Sequence, residues 1–460
     1  METSVIDFIN THRDRYVDEL GQWLAIPSIS TLPEHAGDIT RAAEWAADQM
    51  RRIGLQNVRL IPTPGNPVVY GEWLGAPGAP TILYYGHYDV QPVDPIELWT
   101  SPPFEATVRD GELFARGAAD DKGQIFMHFK AIEAHVRQAG RLPVNLKMIL
   151  EGEEEVGSKH LDGFIHEHKA QLAADVVVVS DTGMFDRGVP SLCYGLRGLA
   201  YFQIDLRGSN TDLHSGTFGG AVANPAFVLA QLLAQMKDRS GRVKIPGFYD
   251  DVRPLSEQER TEYKKLPFNE TRYRKQLGAP RLHGEKGYST LERASARPTF
   301  EVNGLLSGFT GEGAKTVLPA VAMAKVSMRL VPDQEPDRVG DLFEAYLKKI
   351  APKTVEVKVT RMHGGMPWMA SLDNPFVQAA GRAIELGFGK APVFTREGGS
   401  IPIVATFERE LGLPSVLFGI GLPDDRIHAP NEKLDLGNFF GGVIASAYLY
   451  DEISRVPRGR

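Results

Sequence analysis

Cysteine is nearly absent from this chain of 460 residues, in which Cys193 stands alone. One thiol excludes an intrachain disulfide framework and any multi-thiolate metal site, so a bound metal would be held by histidine and carboxylate. Long apolar runs are missing too. Val176 to Val179 is typical of the longest stretches, far short of the ~20 apolar residues that cross a bilayer. The N-terminal METSVIDFINTHRDRYVDEL is charged throughout and lacks the apolar segment of a secretory leader. Nor is there a basic excess: 51 Lys+Arg against 58 Asp+Glu leave a formal charge of −7, which argues against a nucleic-acid surface. These absences point to a soluble, cytoplasmic protein with no membrane or nucleic-acid partner. The remainder is ordinary globular material, 42% hydrophobic and 24% charged, and at ~150 residues per domain it has length for two to three domains.

The first half alternates helical and strand patterns. Helical spacing covers residues 3–25, 40–53 and about 123–138, while 80–86, 144–150 and 175–180 read as strands. Their near-continuous apolar character suits a parallel sheet covered on both faces. Near 197 the texture changes. Residues 199–208 alternate like a half-buried antiparallel strand, a helix is expected over 224–237, and 240–298 is polar with little periodicity. Strands at 324–330 and 354–361 flank a helix at about 336–349; after Pro375 come a helix, an apolar strand at 415–420 and a last helix at about 436–453. The fold class read from this is α/β. One domain with a mixed, largely parallel sheet, 1–196 and 371–460, is interrupted by a smaller α+β domain, 197–370, carrying an antiparallel sheet.

Twelve histidines are spread along the chain. His12, His35, His135, His160, His166, His168 and His283 sit in polar stretches and read as solvated surface residues, and His128 as a packed or partly exposed helix residue. His87 differs, because it ends an apolar strand in GHYD, where ligands of open α/β sheets collect, and Asp89 two residues on could brace its ring. On its own this dipeptide reads better as a loop histidine beside a turn aspartate. Carboxylates stand at three comparable places: Asp120 and Asp121 in ARGAADDKG, Glu151 and Glu153 to Glu155 in EGEEEVGS, and Asp181 in SDTG. Each alone has a plain structural reading, but together they would repel strongly without a cation. His428, in RIHAPNEK after another strand, reads in isolation as an exposed loop residue.

Taken together, GHYDVQP, FARGAADDKG, EGEEEVGS, SDTG, DLHSGTFGG, GAKTVLP, SMRLVPD, MHGGMPW, REGGSIP and IHAPNEK, running in order from residue 86 to 433, resemble the di-metal aminoacylase/carboxypeptidase family, in its carnosinase-type dipeptidase branch. The resemblance implies a zinc-peptidase-like catalytic domain and a lid or dimerisation domain. It also implies two divalent ions per subunit, zinc or manganese: His87 and Asp181 on one, Glu155 and His428 on the other, Asp120 bridging. Of ADDK it selects the first aspartate, and of EGEEEVGS it selects Glu154 as general base and Glu155 as ligand, with Asp89 behind His87. His214 of DLHSG would stabilise the oxyanion in the other subunit's site, which makes the protein a homodimer. Arg329 would grip the substrate carboxylate, Thr316, His363 and Ser400 would add hydrogen bonds, and Glu397 would bind a free α-amine. The reaction implied is hydrolysis of small peptides, dipeptides with a free carboxylate. The alternatives are an N-acyl- or N-carbamoyl-amino-acid amidohydrolase of the same fold and, from another class, a non-catalytic binding protein.

Overall fold

In the computed structural model, which describes residues 3–457, the chain divides into two units: Met1–Tyr194 with Ala370–Thr395 and Thr406–Arg460, and Gly195–Met369 with Arg396–Ala405. In chain order the principal strands are β1 (Gln56–Ile61), β2 (Val68–Trp73), β3 (Thr81–His87), β4 (Asn145–Glu151), β5 (Val176–Val179), β6 (Ser191–Leu196), β7 (Gly198–Arg207), β8 (Glu301–Ser307), β9 (Val321–Leu330), β10 (Glu356–Gly365) and β11 (Ser415–Leu417).

The first unit is built on one mixed sheet in the order β1-β2-β4-β3-β5-β11-β6. Its centre is parallel: β3 pairs with β4 and β5, and β11 with β5, while β1, β2 and β6 join antiparallel. Every residue of β3 and β5 is buried, so both faces of the sheet are covered, as the unbroken apolar runs require. Helices Ala36–Arg52, Lys122–Ala139, Pro375–Phe388 and Leu436–Ser454 supply much of the same core. Helix Lys122–Ala139 is buried from Lys122 through His135 and stops where Gly140 turns left-handed at φ 69°.

Two local expectations need correcting here. The helical spacing over 3–25 is interrupted at His12, whose Nδ1 bonds the Phe8 carbonyl at 2.7 Å, and helices Thr3–Thr11 and Arg13–Leu24 result. His135 is not solvated. It is buried where helix Lys122–Ala139 packs on helix Leu436–Ser454, with Nε2 3.0 Å from the Ala447 carbonyl. Its polar neighbours in sequence face elsewhere, and they concealed the packing.

The second unit carries a four-stranded antiparallel sheet in the order β8-β9-β7-β10. β7 alternates buried and part-buried residues along its length, so one face takes Phe202, Ile204 and Leu206 into a separate core. Helices Pro225–Met236 and Pro336–Ile350 close that core with Leu229, Leu232, Phe343 and Leu347. The first of these begins at an Asn224 cap, whose side chain accepts the Ala226 N–H at 2.9 Å, with proline at the first helical position. The polar segment 240–298 holds three short helices, and two of them start on reciprocal capping boxes, Ser256 with Glu259 and Ser289 with Glu292.

Candidate metal centre

Strands β4, β3 and β5 lie side by side and parallel, so their carboxyl ends share one edge of the sheet. His87 is the last residue of β3, Asp181 follows β5 by two residues, and Glu154 and Glu155 lie in the turn after β4. Open α/β sheets hold ligands along this edge. Asp120 arrives from the turn before helix Lys122–Ala139, with a cis peptide bond to Asp121. His428 arrives from the loop after β11, where Arg426, His428 and Asn431 all adopt left-handed φ of 55°, 60° and 64°.

These side chains converge as two overlapping trios. His87, Asp120 and Asp181 present ligand atoms within 4.8 Å of one another, and so do Asp120, Glu155 and His428. Asp120 is common to both: Oδ1 lies 3.0 Å from His87 Nε2 and Oδ2 2.9 Å from His428 Nε2. His428 Nε2 is also 3.3 Å from Glu155 Oε2, which in turn accepts the Gln91 amide at 2.8 Å. Imidazole nitrogens with carboxylate oxygens are donors that divalent ions accept, and a carboxylate facing both ways suits a bridge between two of them. The residues therefore fit the metal.

The acidic neighbours keep distinct positions. His87 Nδ1 donates to the Asp89 main-chain carbonyl at 3.1 Å, which leaves Nε2 as its ligand atom. The Asp89 carboxylate, 3.4 Å from that ring nitrogen, accepts the amide N–H groups of Glu154 at 3.3 Å and Glu155 at 3.1 Å. Asp89 thus braces both the histidine and the glutamate turn. Glu153 is taken up by His160 at 2.8 Å. Asp121 turns its carboxylate to the His87 backbone N–H at 3.2 Å instead of joining either trio.

Charge is crowded here. Burial, then the neighbouring Asp120 and Asp121, pushes the Asp181 carboxyl well above its usual range. Burial likewise raises Glu154 to about 7, against the pull of His87 and with the help of Glu155 and Asp120. Asp120 stays below the usual range despite burial, because His428 and His87 both hydrogen-bond it. His428 is pushed up to about 10 by its bonds to Asp120 and Glu155. A site that strains this many carboxylates relaxes when a cation enters.

The remaining expected residues lie in the second unit. His214 ends the short strand Leu213–His214, which pairs with Val317 and Leu318, next to Thr316, whose carbonyl accepts the Ser215 N–H at 3.1 Å. His214 Nδ1 accepts the Gly216 N–H at 3.1 Å, so the neutral ring carries its proton on the exposed Nε2. Arg329, next to last in β9, donates to Ser400 Oγ at 3.0 Å; Ser400 in turn bonds the Arg197 carbonyl. His363 stacks on Tyr201 at 4.9 Å between ring centroids. Glu397 closes the strand Val393–Glu397, just before Gly398 and Gly399, whose carbonyls accept Arg197 Nε and N, each at 3.1 Å.

The family model for Peptidase family M20/M25/M40 matches residues 83–451. The chain belongs to that family. This M20 chain is 34% identical over 458 residues to the Cys-Gly metallodipeptidase DUG1 of Candida albicans, covering 95% of this chain and 94% of that one. Among solved structures it is similar to human carnosine dipeptidase 1, with a TM-score of 0.83, 32% identity and 98% of each chain covered. It is also similar to the M20 metallo-carboxypeptidase Sso-CP2 of Sulfolobus solfataricus, with a TM-score of 0.85, 33% identity, and 96% of this chain and 99% of that one covered. An M20 peptidase uses divalent metal, and the group centred on Asp120 is the one described above that fits it. Sequence reasoning left Gln91, Arg197 and Asp121 without roles. Gln91 and Asp121 stood inside the quoted motifs, but the hydrogen bonds from Gln91 to Glu155 and from the His87 N–H to Asp121 form only once the chain is folded.

Proposed function

We propose that this M20 peptidase is a metal-dependent dipeptidase, hydrolysing peptide bonds next to a free carboxylate with two divalent ions, zinc or manganese. The observation that carries the reading is Asp120, whose two oxygens each face the imidazole of a different ligand trio. His87 and Asp181 would hold one ion and Glu155 and His428 the other. Relatives named as a Cys-Gly metallodipeptidase and a carnosine dipeptidase support the substrate class.

When bound, such a pair polarises the scissile carbonyl and lowers the pKa of a water towards neutrality. Glu154 takes the proton of the attacking water and returns it to the leaving amine. Asp89 keeps His87 and the Glu154–Glu155 turn in place. His214 offers its Nε2–H to the developing oxyanion, supplied across a homodimer to the partner's site. Arg329, with Ser400, Thr316 and His363, receives the substrate carboxylate, where a guanidinium can bind bidentately, and Glu397 receives the free amine. A cytoplasmic setting completes the proposal and suits a chain with one cysteine.

The test is hydrolysis of free-amine dipeptides, their N-acetylated forms and C-terminally amidated forms by chelator-stripped protein with zinc or manganese restored. Metal-dependent cleavage of the free dipeptides alone is the expected result. Cleavage of the acetylated forms alone would replace this reading with the amidohydrolase, and equal cleavage of amidated forms would remove Arg329 from its role.

A further inference from the structure

Glu432 lies four residues beyond His428, is fully buried, and has no part in the reaction outlined above. Its carboxylate nevertheless gathers four donors. Oε2 accepts Arg116 Nη1 at 2.6 Å and the Gly117 N–H at 3.1 Å, and Oε1 accepts the N–H groups of Ala119 at 3.0 Å and Asp120 at 3.1 Å. Arg116, itself buried, donates its other terminal nitrogen to the Pro92 carbonyl at 2.8 Å, close along the chain to His87. The Glu432 carbonyl also accepts the Ala115 N–H at 3.2 Å.

We infer that Glu432 is the positioning residue of the metal centre: one carboxylate fixes the backbone of the bridging Asp120 and, through its own chain, the loop that carries His428. The inference rests on reading Asp120 and His428 as metal ligands. Tying down the Asp120 amide fixes the direction of its Cβ, and therefore which way each of its oxygens faces. The His428 loop needs such a tie, because left-handed backbone at three non-glycine residues persists only where the surroundings over-determine it. Two anchors do so. Asn431 bonds the Leu98 carbonyl at 2.7 Å and the Thr100 N–H at 2.8 Å, and Glu432 bonds the turn that carries Asp120. Since Asp120 belongs to both trios, loosening Glu432 loosens both ion sites, whereas loosening Asn431 acts on the His428 side alone.

The test is calorimetric titration of chelator-stripped protein with Mn(II), together with the visible absorption of the Co(II)-loaded form and thermal unfolding of the metal-free form. Wild type should take two equivalents; if it does not, the assignment of the ligands fails, and not this inference. Glu432→Gln keeps the side-chain size but replaces one acceptor oxygen by an NH2, which must face one of the two donor pairs, Arg116 with Gly117 or Ala119 with Asp120. It should remain folded and lose affinity at both sites by roughly 10- to 100-fold, with altered Co(II) bands. Asn431→Ala should weaken one equivalent only. A folded Glu432→Gln protein that binds two Mn(II) with wild-type affinity and an unchanged Co(II) spectrum overturns the inference. If Glu432→Gln does not fold, Arg116→Lys decides: weakened binding at both sites supports the inference and wild-type binding overturns it.

Discussion

Glu153, Glu154 and Glu155 are consecutive carboxylates with different partners. Glu153 is held by His160, and Glu155 faces His428 and accepts the Gln91 amide. Glu154 lies between them, raised towards neutrality by burial. Glu154→Gln should therefore keep full metal content by elemental analysis while kcat falls by roughly 10²- to 10⁴-fold; a variant that loses metal would place Glu154 among the ligands. His428→Ala should lose one metal equivalent per chain, and unchanged stoichiometry would remove His428 from the site. A third residue sets a pH limit on stability. His128 is fully buried between Ser180 Oγ at 2.8 Å and the Tyr450 hydroxyl at 3.0 Å. Burial lowers its pKa from 6.5 to about 3. The folded ring stays neutral, while the unfolded one binds a proton below pH 6.5, so this site costs stability as pH falls from 6.5 and stops costing more near 3. At ~1.4 kcal/mol per unit, the loss at pH 5 is about 2 kcal/mol. His128→Gln, unfolded thermally in chelator between pH 7 and 4.5, should show a flatter acid limb than wild type; parallel limbs would assign the acid sensitivity elsewhere.

Among the elements, glycine decides how closely the turn carrying Asp120 can approach its helix. A Cβ on Gly123 would stand 1.9 Å from the Ala118 carbonyl oxygen, which is backbone and cannot swing aside. Gly123→Ala should destabilise the protein by about 1–3 kcal/mol through overpacking and, by displacing the turn, reduce metal content. Gly140, left-handed with open space around it, is the contrast. Gly140→Ala should cost about 1–2 kcal/mol of stability and leave metal content intact, so melting curves with elemental analysis separate the two effects. The same scale shows what the sequence makes legible. Strands β3, β4 and β5 announce themselves by buried apolar runs ending in His87, Glu151 and the residues before Asp181, and β7 by strict alternation. β8 does not, because an edge strand with Val302, Leu305 and Leu306 exposed has no inward pattern to read. In 240–298 the periodicity is lost in helices of six to nine residues. The acidic candidates were legible as a group of carboxylates beside His87, whereas His428 and the choice of Asp120 and Glu155 among their neighbours came only with the family resemblance. The brace of Asp89 on His87 was legible too, but its hold on the Glu154–Glu155 turn and the duties of Asp121 and Glu432 were not, since each depends on which backbone N–H a carboxylate reaches, and spacing along a chain does not record that.

For the whole molecule, the open question is how many chains make a working site. Among the described residues β8 is an edge of the second unit's sheet, with no strand paired along one side and Leu305 60% exposed. Native proteins seldom leave such an edge bare, and a second copy of the chain is the partner the proposed homodimer supplies. Leu305→Asp with Leu306→Asp should give monomers by sedimentation, with metal retained and activity lost. The stronger experiment asks whether His214 acts across the dimer. Glu154→Gln leaves one chain without its base, and His214→Ala leaves another without its oxyanion donor; neither homodimer turns over. In a heterodimer of the two, the chain that keeps Glu154 receives an intact His214 from its partner, so one of its two sites is whole. Co-expressed in equal amounts and paired at random in a two-fold dimer, the variants should recover roughly a quarter of wild-type activity. If His214 serves its own chain, every site lacks either the base or the donor, and co-expression recovers nothing.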